Sequence, residues 1–330
     1  MSDHTSFDVL GIGNALVDVL SHETDEFVGR LGLNRGAMTL IEEGRAHELY
    51  DAMGPGVEIS GGSAANTIVG LASFGARAAY LGKVRDDQLG DVFAHDIRST
   101  GVVFRSPAAT DGPATGRCLI VVTPDAQRTM NTYLGASAYL GPEDVDADMV
   151  ASARVVYLEG YLWDRPEAKE AYRKAARIAH DAGNEVSLTL SDSFCVDRHR
   201  PEWRKLVADE VDVLFANEAE ICALYECDFD AALDAVRRDC RVAALTRSAE
   251  GCVIVSGGET HVVPAHPVET LVDTTGAGDL YASGFLHGYT RGDDLETCAR
   301  LGSLAAAEVI SHIGARPETT LSDLATLKSQ

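Results

Sequence analysis

The chain has 330 residues, of which 45% are hydrophobic, and its 28 Lys and Arg against 51 Asp and Glu give a formal net charge of -23 at pH 7. A surface this acidic repels nucleic acid and anionic membrane, so we expect neither as a partner. The apolar content is ample for the core of one large domain or of two ordinary ones.

An apolar strand is predicted from Phe7 to Gly13, followed by Asn14. Its two glycines resemble the start of a dinucleotide-binding motif. However, Leu16 stands where the third glycine belongs, and the residues after it predict another strand and not a helix. On that second strand, Asp18 is placed to accept hydrogen bonds from a ribose diol. The alternative for Asp18 is a solvated charge at a strand edge.

A glycine pair, Gly61 and Gly62, precedes a predicted apolar helix, with Ser63 as the expected helix cap. In a functional interpretation the two glycines expose backbone amides, and Asn66 offers donors and an acceptor to sugar hydroxyls. In a structural interpretation the pair only begins a helix.

Strand and helix patterns alternate through the middle of the chain. Strands are predicted at residues 78–84, 154–158 and 185–190, and helices at 88–99, 167–181 and 201–208. This alternation predicts a parallel sheet covered by helices on both faces, with ligands at the carboxyl ends of the strands. Residues of about 18–41 and 103–133 interrupt the alternation and carry short strand-like runs, which predict a small sheet over the pocket. Residues 317–330 predict a terminal helix.

The run Asn217-Glu218-Ala219-Glu220 has two compatible interpretations. Asn217 can cap a helix whose first turn carries the two glutamates. Glu220 can also help to hold Mg²⁺ through water, since this ion keeps much of its hydration shell.

The most informative stretch is Asp273-Thr274-Thr275-Gly276-Ala277-Gly278-Asp279, which an apolar helical run follows. Glycines let a backbone approach a ligand, and the start of a helix attracts an anion. Asp279, in the first turn, could take a proton from a hydroxyl group as phosphate arrives. This is the chemistry of a kinase, and the alternative is a tight turn before a helix.

Together, residues 11–18, 61–67, 217–220 and 273–279 resemble the ribokinase-like (PfkB) family of carbohydrate and nucleoside kinases, in that family's order. The resemblance runs from about residue 7 to about residue 313. It implies an α/β fold, a ribokinase-like three-layer sandwich with a mainly parallel central sheet and a small β-sheet lid. The whole chain, 1–330, would be one domain with a discontinuous lid from about 18–41 and 103–133. Residues 13–18, 188–194 and 211–218 are most similar to the adenosine kinase branch.

The resemblance also implies residue roles. Asp279 would be the general base, the amides of Gly276, Ala277 and Gly278 would form the anion hole, and Arg128 would be a lid arginine that grips the transferring phosphate. The implied contacts to the acceptor substrate are, for the sugar, Asn14, Asp18, Gly61, Gly62 and Asn66, and for the purine, Leu16, Leu162 and Phe194. Leu162 stands where adenosine kinases place a second aromatic residue.

For the second substrate, ATP, the implied contacts are Asn217, Thr246, Ser248 and Gly251, together with Gly276 and Gly278. Glu220 would organise Mg²⁺ through water. Asp273 and Thr275 match positions that surround a monovalent cation in many relatives, and their hard oxygen ligands suit K⁺.

These roles favour an ATP-dependent kinase that phosphorylates the 5′-hydroxyl of a nucleoside, with adenosine converted to AMP as the leading case. Two alternatives stay open: a kinase for ribose, fructose or a related small sugar, and a nucleoside or nucleotide sensor without turnover. Asp279 with both glycines weighs against the sensor, because a pure binder needs no base there.

Location and assembly follow from composition. The seven cysteines are scattered without a CxxC pair, which is typical of reduced thiols. The first residues do not resemble a signal peptide, and no apolar run reaches the roughly 18 residues of a membrane span. We therefore expect a cytoplasmic enzyme, either a monomer or a homodimer paired through exposed lid strands.

Overall fold

The computed structural model describes residues 6–125 and 127–327. Its strands, in chain order, are β1 Phe7–Ile12, β2 Leu16–His22, β3 Met38–Leu40, β4 Val57–Gly61, β5 Ala78–Leu81, β6 Val103–Phe104, β7 Gly116–Val122, β8 Arg128–Tyr133, β9 Ala153–Glu159, β10 Glu185–Thr189, β11 Val213–Asn217, β12 Val242–Thr246, β13 Cys252–Ser256 and β14 Glu259–Val263.

The helices, in the same order, are α1 Asp25–Arg30, α2 Glu43–Ala52, α3 Ser63–Ser73, α4 Gln88–Ser99, α5 Ala147–Ala151, α6 Pro166–Asp181, α7 Ser193–Glu210, α8 Glu218–Tyr225, α9 Phe229–Asp239, α10 Ala277–Arg291, α11 Leu295–Val309 and α12 Leu321–Leu327. None of the helices in the described ranges is both long and apolar enough to cross a membrane.

Nine strands form the central sheet, in the order β14-β13-β12-β11-β10-β9-β1-β5-β6. The seven strands from β12 to β6 pair in parallel, and β13 and β14 extend the sheet as antiparallel strands. Helical crossovers between parallel strands explain the alternation seen in the sequence. The predicted mainly parallel sheet is confirmed.

Helices cover both faces of this sheet. Side chains alternate along β9, so Val155 and Tyr157 enter one core, with α3, α4, α10 and α11, while Val156 and Leu158 enter the other, with α6 to α9. Strands buried on both faces carry continuous apolar runs instead of alternating polar positions, as β9 does at residues 155–158. The result is the predicted three-layer α/β sandwich.

The smaller sheet has five strands in the order β3-β8-β7-β2-β4. Four of them fall in the segments predicted as the lid. The lid bounds need two corrections. The strand β4 also belongs to the small sheet, and its half-exposed residues carry no alternating pattern that marks it. Residues 103–104 form β6, which pairs with β5 in the central sheet.

Two predicted helices have different bounds in the structure. The helix predicted at 201–208 is α7, which already begins at Ser193 and is broken at His199, where φ is -132°. Pro201 is tolerated because it lies in the first turn after that break. The terminal helix predicted at 317–330 corresponds to α12, which spans Leu321–Leu327. Residues 328–330 of that prediction lie outside the described residues.

Candidate active site

The amino-terminal end of α10 presents its backbone to open space. Gly276 precedes the helix with φ +80°, which side-chain-bearing residues rarely adopt, and a Cβ atom there would lie 2.8 Å from Ala315. A Cβ atom at Gly278 would meet nothing within 4 Å. The amide of Ala277 donates to Thr274 O (3.2 Å), whereas none of the described residues accepts from the amides of Gly276 and Gly278. These two amides are available to an anion.

Asp279 lies in the first turn of α10, and α3 holds its carboxylate. Oδ1 accepts a hydrogen bond from Ser63 Oγ (2.7 Å), and Oδ2 accepts one from Asn66 Nδ2 (3.0 Å). Burial raises the pKa of Asp279, and these two hydrogen bonds and the charge of Arg316 oppose the rise. A carboxylate with a raised pKa beside free amides can accept a proton from an incoming hydroxyl group.

Two residues of α3 have contacts different from those expected. Gly62 is the N-cap of α3, so the prediction of Ser63 as the cap was wrong, and the Ser63 hydroxyl contacts Asp279 instead. Asn66, assigned to the sugar, is only 6% exposed and donates to Asp279. Its Oδ1 atom is buried without a partner in the described part of the chain. Both side chains therefore orient the carboxylate of Asp279.

Asp18 lies directly over the glycine pair. A Cβ atom at Gly61 would be 2.4 Å from the Asp18 carboxyl carbon, and Gly62, with φ +104°, passes so close to Asn14 that a Cβ atom would be 2.2 Å from its carbonyl oxygen. Burial raises the pKa of Asp18 to about 6, against the charges of Arg316 and Arg128. No described residue donates a hydrogen bond to the Asp18 carboxylate, so it is open to hydroxyl donors of a ligand.

Asn14 is buried and held by Glu159, the last residue of β9. Glu159 Oε1 accepts from the Asn14 amide (2.8 Å) and Nδ2 (2.7 Å), and Oε2 accepts from Ala64 N (2.7 Å). Ser137 Oγ donates to Asn14 Oδ1 (2.8 Å). Burial raises the pKa of Glu159 to about 7. Asn14 thus fixes the chain beside Asp18, and Glu159 links it to the start of α3.

The residues assigned to the purine differ in exposure. Phe194, in the first turn of α7, is 73% exposed, which leaves its ring free to stack on a base. Leu16 is buried, and Leu162 is 3% exposed within the hydrophobic core, so Leu162 has little surface left for a ligand. Its neighbour Tyr161 donates a hydrogen bond to Ser191 O (3.1 Å), and the negative charge of Asp279 contributes, after burial and Asp192, to a raised pKa of the Tyr161 hydroxyl. Tyr161 is therefore the aromatic residue of this segment that responds to the charge of the site.

Asn217 and Glu220 form the predicted cap of α8. Asn217 Oδ1 accepts from Glu220 N (2.9 Å), while the Glu220 carboxylate accepts from Asn217 N (3.0 Å) and Nδ2 (2.6 Å). Burial raises the pKa of Glu220 to about 7. Within the described residues, no three His, Cys, Asp or Glu side chains converge as a metal site. Both Glu220 carboxylate oxygens already accept hydrogen bonds from Asn217, so any contact with Mg²⁺ would be through water.

Thr246 ends β12 and pairs in register with Asn217. In the turn that follows, Arg247 N donates to Gly251 O (2.7 Å), and Ser248 has a positive φ of 52°. Gly251 has φ +91°, and a Cβ atom there would be 2.1 Å from Val263 O. Gly251 is thus required by the backbone of the turn, and the turn brings Thr246 beside Asn217 at the sheet edge.

Arg128 of the lid strand β8 reaches the loop before α10. Its Nη1 atom lies 2.5 Å from Asp273 Oδ2, and the two side chains are only 8% and 9% exposed. Asp273 Oδ1 also accepts from Thr275 N (3.0 Å) and Oγ1 (2.7 Å), and Oδ2 accepts from Gly314 N (3.1 Å). Both carboxylate oxygens are engaged, and the guanidinium supplies the positive charge. With the lid in this position, Asp273 does not fit a K⁺ ligand, and we assign no step to that ion.

Three residues of the site were not found by sequence analysis: Glu159, Tyr161 and Arg316. Glu159 follows the buried apolar run of residues 155–158, so an acid at the carboxyl end of such a run was an available signal. For Tyr161 the sequence indicated the correct segment but not the orientation of each side chain. Arg316 follows α11 in a loop without a motif, and its contacts are to residues some 250 positions earlier.

Residues 39–321 match the family described as pfkB family carbohydrate kinase. Adenosine kinase from Saccharomyces cerevisiae is 28% identical over 326 residues, which cover 92% of this chain and 94% of that protein.

Two solved structures are similar over nearly the full length. Adenosine kinase from Sinorhizobium meliloti is 55% identical with a TM-score of 0.90, over 98% of this chain and 100% of that one. A probable sugar kinase from Rhizobium etli is 53% identical with a TM-score of 0.91, over 98% and 99%.

Proposed function

Because this chain belongs to the pfkB carbohydrate kinase family, a family of phosphotransferases with an alcohol acceptor, we propose that it is an adenosine kinase. It would transfer the γ-phosphate of ATP to the 5′-hydroxyl of adenosine and release AMP and ADP. One observation carries the proposal. Asp279, two free amides and the open Asp18 carboxylate lie together at the starts of α10 and α3, and the exposed ring of Phe194 follows the carboxyl end of β10, two strands from β1 in the central sheet.

The proposed chemistry divides among named groups. Asp279 accepts or orients the proton of the 5′-hydroxyl, whose oxygen attacks the γ-phosphorus in line. The amides of Gly276 and Gly278 donate to the phosphate oxygens, where negative charge develops. Mg²⁺ bound with ATP would neutralise charge on the phosphates. The lid over the site excludes water, which would otherwise compete with the acceptor hydroxyl.

An exposed apolar surface lies on the segment before α10 and the segment after α11. Leu271, Val272 and Ile313 are large apolar residues with 63%, 38% and 36% exposure. They lie on neighbouring segments, because Val272 N donates to Ile310 O (2.9 Å). We propose that the adenine ring of ATP packs on this surface while Thr246 and Asn217 face the phosphates.

A sugar kinase is the second candidate. Asp18 and the two glycines would bind hydroxyl groups of any small sugar equally well, and the similar Rhizobium etli structure is named a probable sugar kinase. The exposed Phe194 ring favours a purine.

All seven cysteines are free thiols, which supports a proposed location in the reducing cytoplasm.

A substrate panel tests the function. We expect ADP release with adenosine at a kcat/KM at least tenfold above that with other nucleosides, ribose or fructose, because only adenosine fills both the diol and the purine positions. A coupled assay for ADP measures this, with 5′-deoxyadenosine as the matched control that binds but lacks the acceptor oxygen. Preference for ribose or fructose would identify a sugar kinase, and binding of adenosine without turnover would identify a sensor.

Replacement of Asp18 by Ala tests the sugar contact. We expect the KM for adenosine to rise about 10- to 100-fold, with a smaller change in kcat, because the diol loses a charged acceptor. Since burial raises the pKa of Asp18 to about 6, the wild-type KM should also rise as the pH falls through 6 and the carboxylate takes up a proton.

The matched control for Asp18 is 2′,3′-dideoxyadenosine, which lacks the diol. Wild-type and Asp18→Ala proteins should bind this analogue with nearly equal affinity in calorimetry. An equal loss of affinity for adenosine and for the dideoxy analogue would remove Asp18 from the diol contact.

A further inference from the structure

Residues 314–316, which follow α11, contact three separate parts of the site. Gly314 N donates to Asp273 Oδ2 (3.1 Å), ahead of the phosphate-binding turn. Ala315 packs against Gly276 so closely that a Cβ atom on this glycine would lie 2.8 Å from it. Arg316 extends in the other direction, toward β4 and α3. One short segment therefore joins the phosphate-binding end of α10 to the substrate side of the pocket.

The Arg316 guanidinium binds both ends of residues 60–66, which we name the acceptor loop. Nη2 donates to Ser60 O and to Ser60 Oγ (3.0 Å), and Nη1 donates to Ala65 O (3.3 Å). Gly61, Gly62 and Asn66 lie within this loop. A planar group with several fixed donors can hold two carbonyl groups at once, which a lysine ammonium does less well.

The charge of Arg316 lies among acids. Ser60 N and Oγ also donate to Asp96 Oδ2 (2.8 and 2.6 Å), which places this carboxylate behind the loop. Burial lowers the pKa of Arg316, while Asp18, Asp96 and Asp279 act to raise it. Conversely, its charge opposes the rise in pKa that burial imposes on Asp18 and Asp279.

Other groups face the same two acids. Those around Asp18 are Arg128 on β8, Cys118 on β7 and Asp279 itself. Those around Asp279 are Ser63 and Asn66 on α3, Tyr157 and Glu159 on β9, and Tyr161. Among these, Arg128 is bound to Asp273 on the lid side. Arg316 is thus a cation whose charge acts on both acids.

We propose that Arg316 is a positioning residue that fixes the acceptor loop against α10. Its positive charge also favours the ionised forms of Asp18 and Asp279. The inference rests on the proposed function, since it assigns these acids to an acceptor hydroxyl and its sugar. Arg316 itself does not touch the substrate. Its two effects, geometry and charge, are separable by substitution.

The test compares Arg316→Lys with Arg316→Met. The lysine variant loses the paired hydrogen bonds to Ser60 and Ala65, so we expect the acceptor KM to rise about 10- to 100-fold. It keeps the positive charge, so the acid limb of the profile of kcat/KM against pH should stay in place. The methionine variant loses both, so the same rise should come with a shift of the acid limb to higher pH. The shift follows because the pKa values of Asp18 and Asp279 rise without the positive charge.

Arg237 supplies a matched control at the opposite edge of the sheet. Its guanidinium also donates to two carbonyl oxygens and one hydroxyl, those of Gly257, Glu259 and Thr260. Arg237→Lys and Arg237→Met should leave the acceptor KM and the acid limb unchanged, whatever they do to the unfolding temperature. We expect the acid limb of Arg316→Lys to match that of the wild-type protein and the acid limb of Arg316→Met to be shifted. A purely structural role of Arg316 would not produce this difference between the two variants.

Two outcomes overturn the proposal. One is a folded Arg316→Met protein with an unmoved acid limb and a KM within about twofold of wild type. The other, decisive if the methionine variant does not fold, is an Arg316→Lys protein with wild-type acceptor affinity. Affinity is also measured by calorimetry with whichever acceptor the wild-type protein prefers. Preference for a sugar would then contradict the adenosine assignment and leave the test of Arg316 intact.

Discussion

Asp279→Asn is expected to lower kcat by roughly 10²- to 10⁴-fold, because the site loses the group that accepts the proton of the acceptor hydroxyl. The KM values for ATP and adenosine should change much less, since the amides of Gly276 and Gly278 and the carboxylate of Asp18 remain. Steady-state ADP release measures the rate, and calorimetry with adenosine checks that binding is retained.

The same substitution should leave the fold intact. The asparagine amide oxygen can accept from Asn66 Nδ2, and its NH₂ group can donate to Ser63 Oγ, so both present partners stay satisfied. Burial raises the pKa of Asp279, so the native state favours the protonated form, and this contribution to stability is lost as the pH rises through the folded-state pKa. The neutral amide never places a charge in this buried position, so the variant should unfold at the same or a higher temperature at any pH at which the wild-type carboxylate is ionised.

Asp91→Asn is the matched control, because Asp91 is an exposed acid in the first turn of another helix, α4. It should retain the wild-type kcat. An Asp279→Asn protein with a near-normal rate would remove Asp279 from the role of base, and a large fall in its unfolding temperature would mean that the lost rate reports a damaged fold.

The architecture was accessible from sequence because each buried strand and each amphipathic helix carries its own local pattern. The helix predicted at 88–99 agrees with α4 at both ends, where Asp87 caps the first turn. The strand β4 was missed because it is short, half-exposed and joined directly to the glycine pair. The first part of α7 was not predicted, because the helix is broken at His199 and a break just before Pro201 has the same sequence pattern as the start of a helix.

The candidate site was predictable only where its residues lie in one continuous motif. Asp279 and the glycines before it form such a motif, and the helix start that follows is legible from sequence. The partners of Asp279, Ser63 and Asn66, are more than 200 positions away, and Glu159 and Asn14 are 145 apart. Contacts of that kind depend on strand order, which local patterns do not encode. The contacts of Arg316 with Ser60 and Ala65 are also of this long-range kind.

The residues around Arg128 in the sequence do not form a motif that indicates its role. Only the family resemblance implied that it binds phosphate. In the structure it forms a nearly buried ion pair with Asp273, across 145 positions, that ties the lid to the loop before α10. This ion pair places a permanent positive charge next to the phosphate-binding turn when the lid is in this position. We propose that the guanidinium moves from Asp273 to the transferring phosphate when ATP binds, because a phosphate offers more charge and bidentate geometry.

Arg128→Gln is therefore expected to lower kcat by about 10²- to 10³-fold, through loss of a cation at the phosphate in the transition state. The fold should survive, because Asp273 keeps its hydrogen bonds from Thr275 and Gly314. ADP release gives the rate. Arg35→Gln is the matched control, since Arg35 forms ion pairs with Asp25 and Asp125 on the exposed surface. It should stay within about twofold of wild type.

Asp273→Asn separates catalysis from lid closure. If Arg128 acts only as a lid contact, Arg128→Gln and Asp273→Asn should lower kcat equally, and the double variant should be no slower than either one. If Arg128 also binds the transferring phosphate, Arg128→Gln should be at least tenfold slower than Asp273→Asn, because only the first removes the cation. Equal rates for the two single variants would limit Arg128 to holding the lid, and the stabilisation of the transition state would then rest on the amides of Gly276 and Gly278 and on the Mg²⁺ bound with ATP.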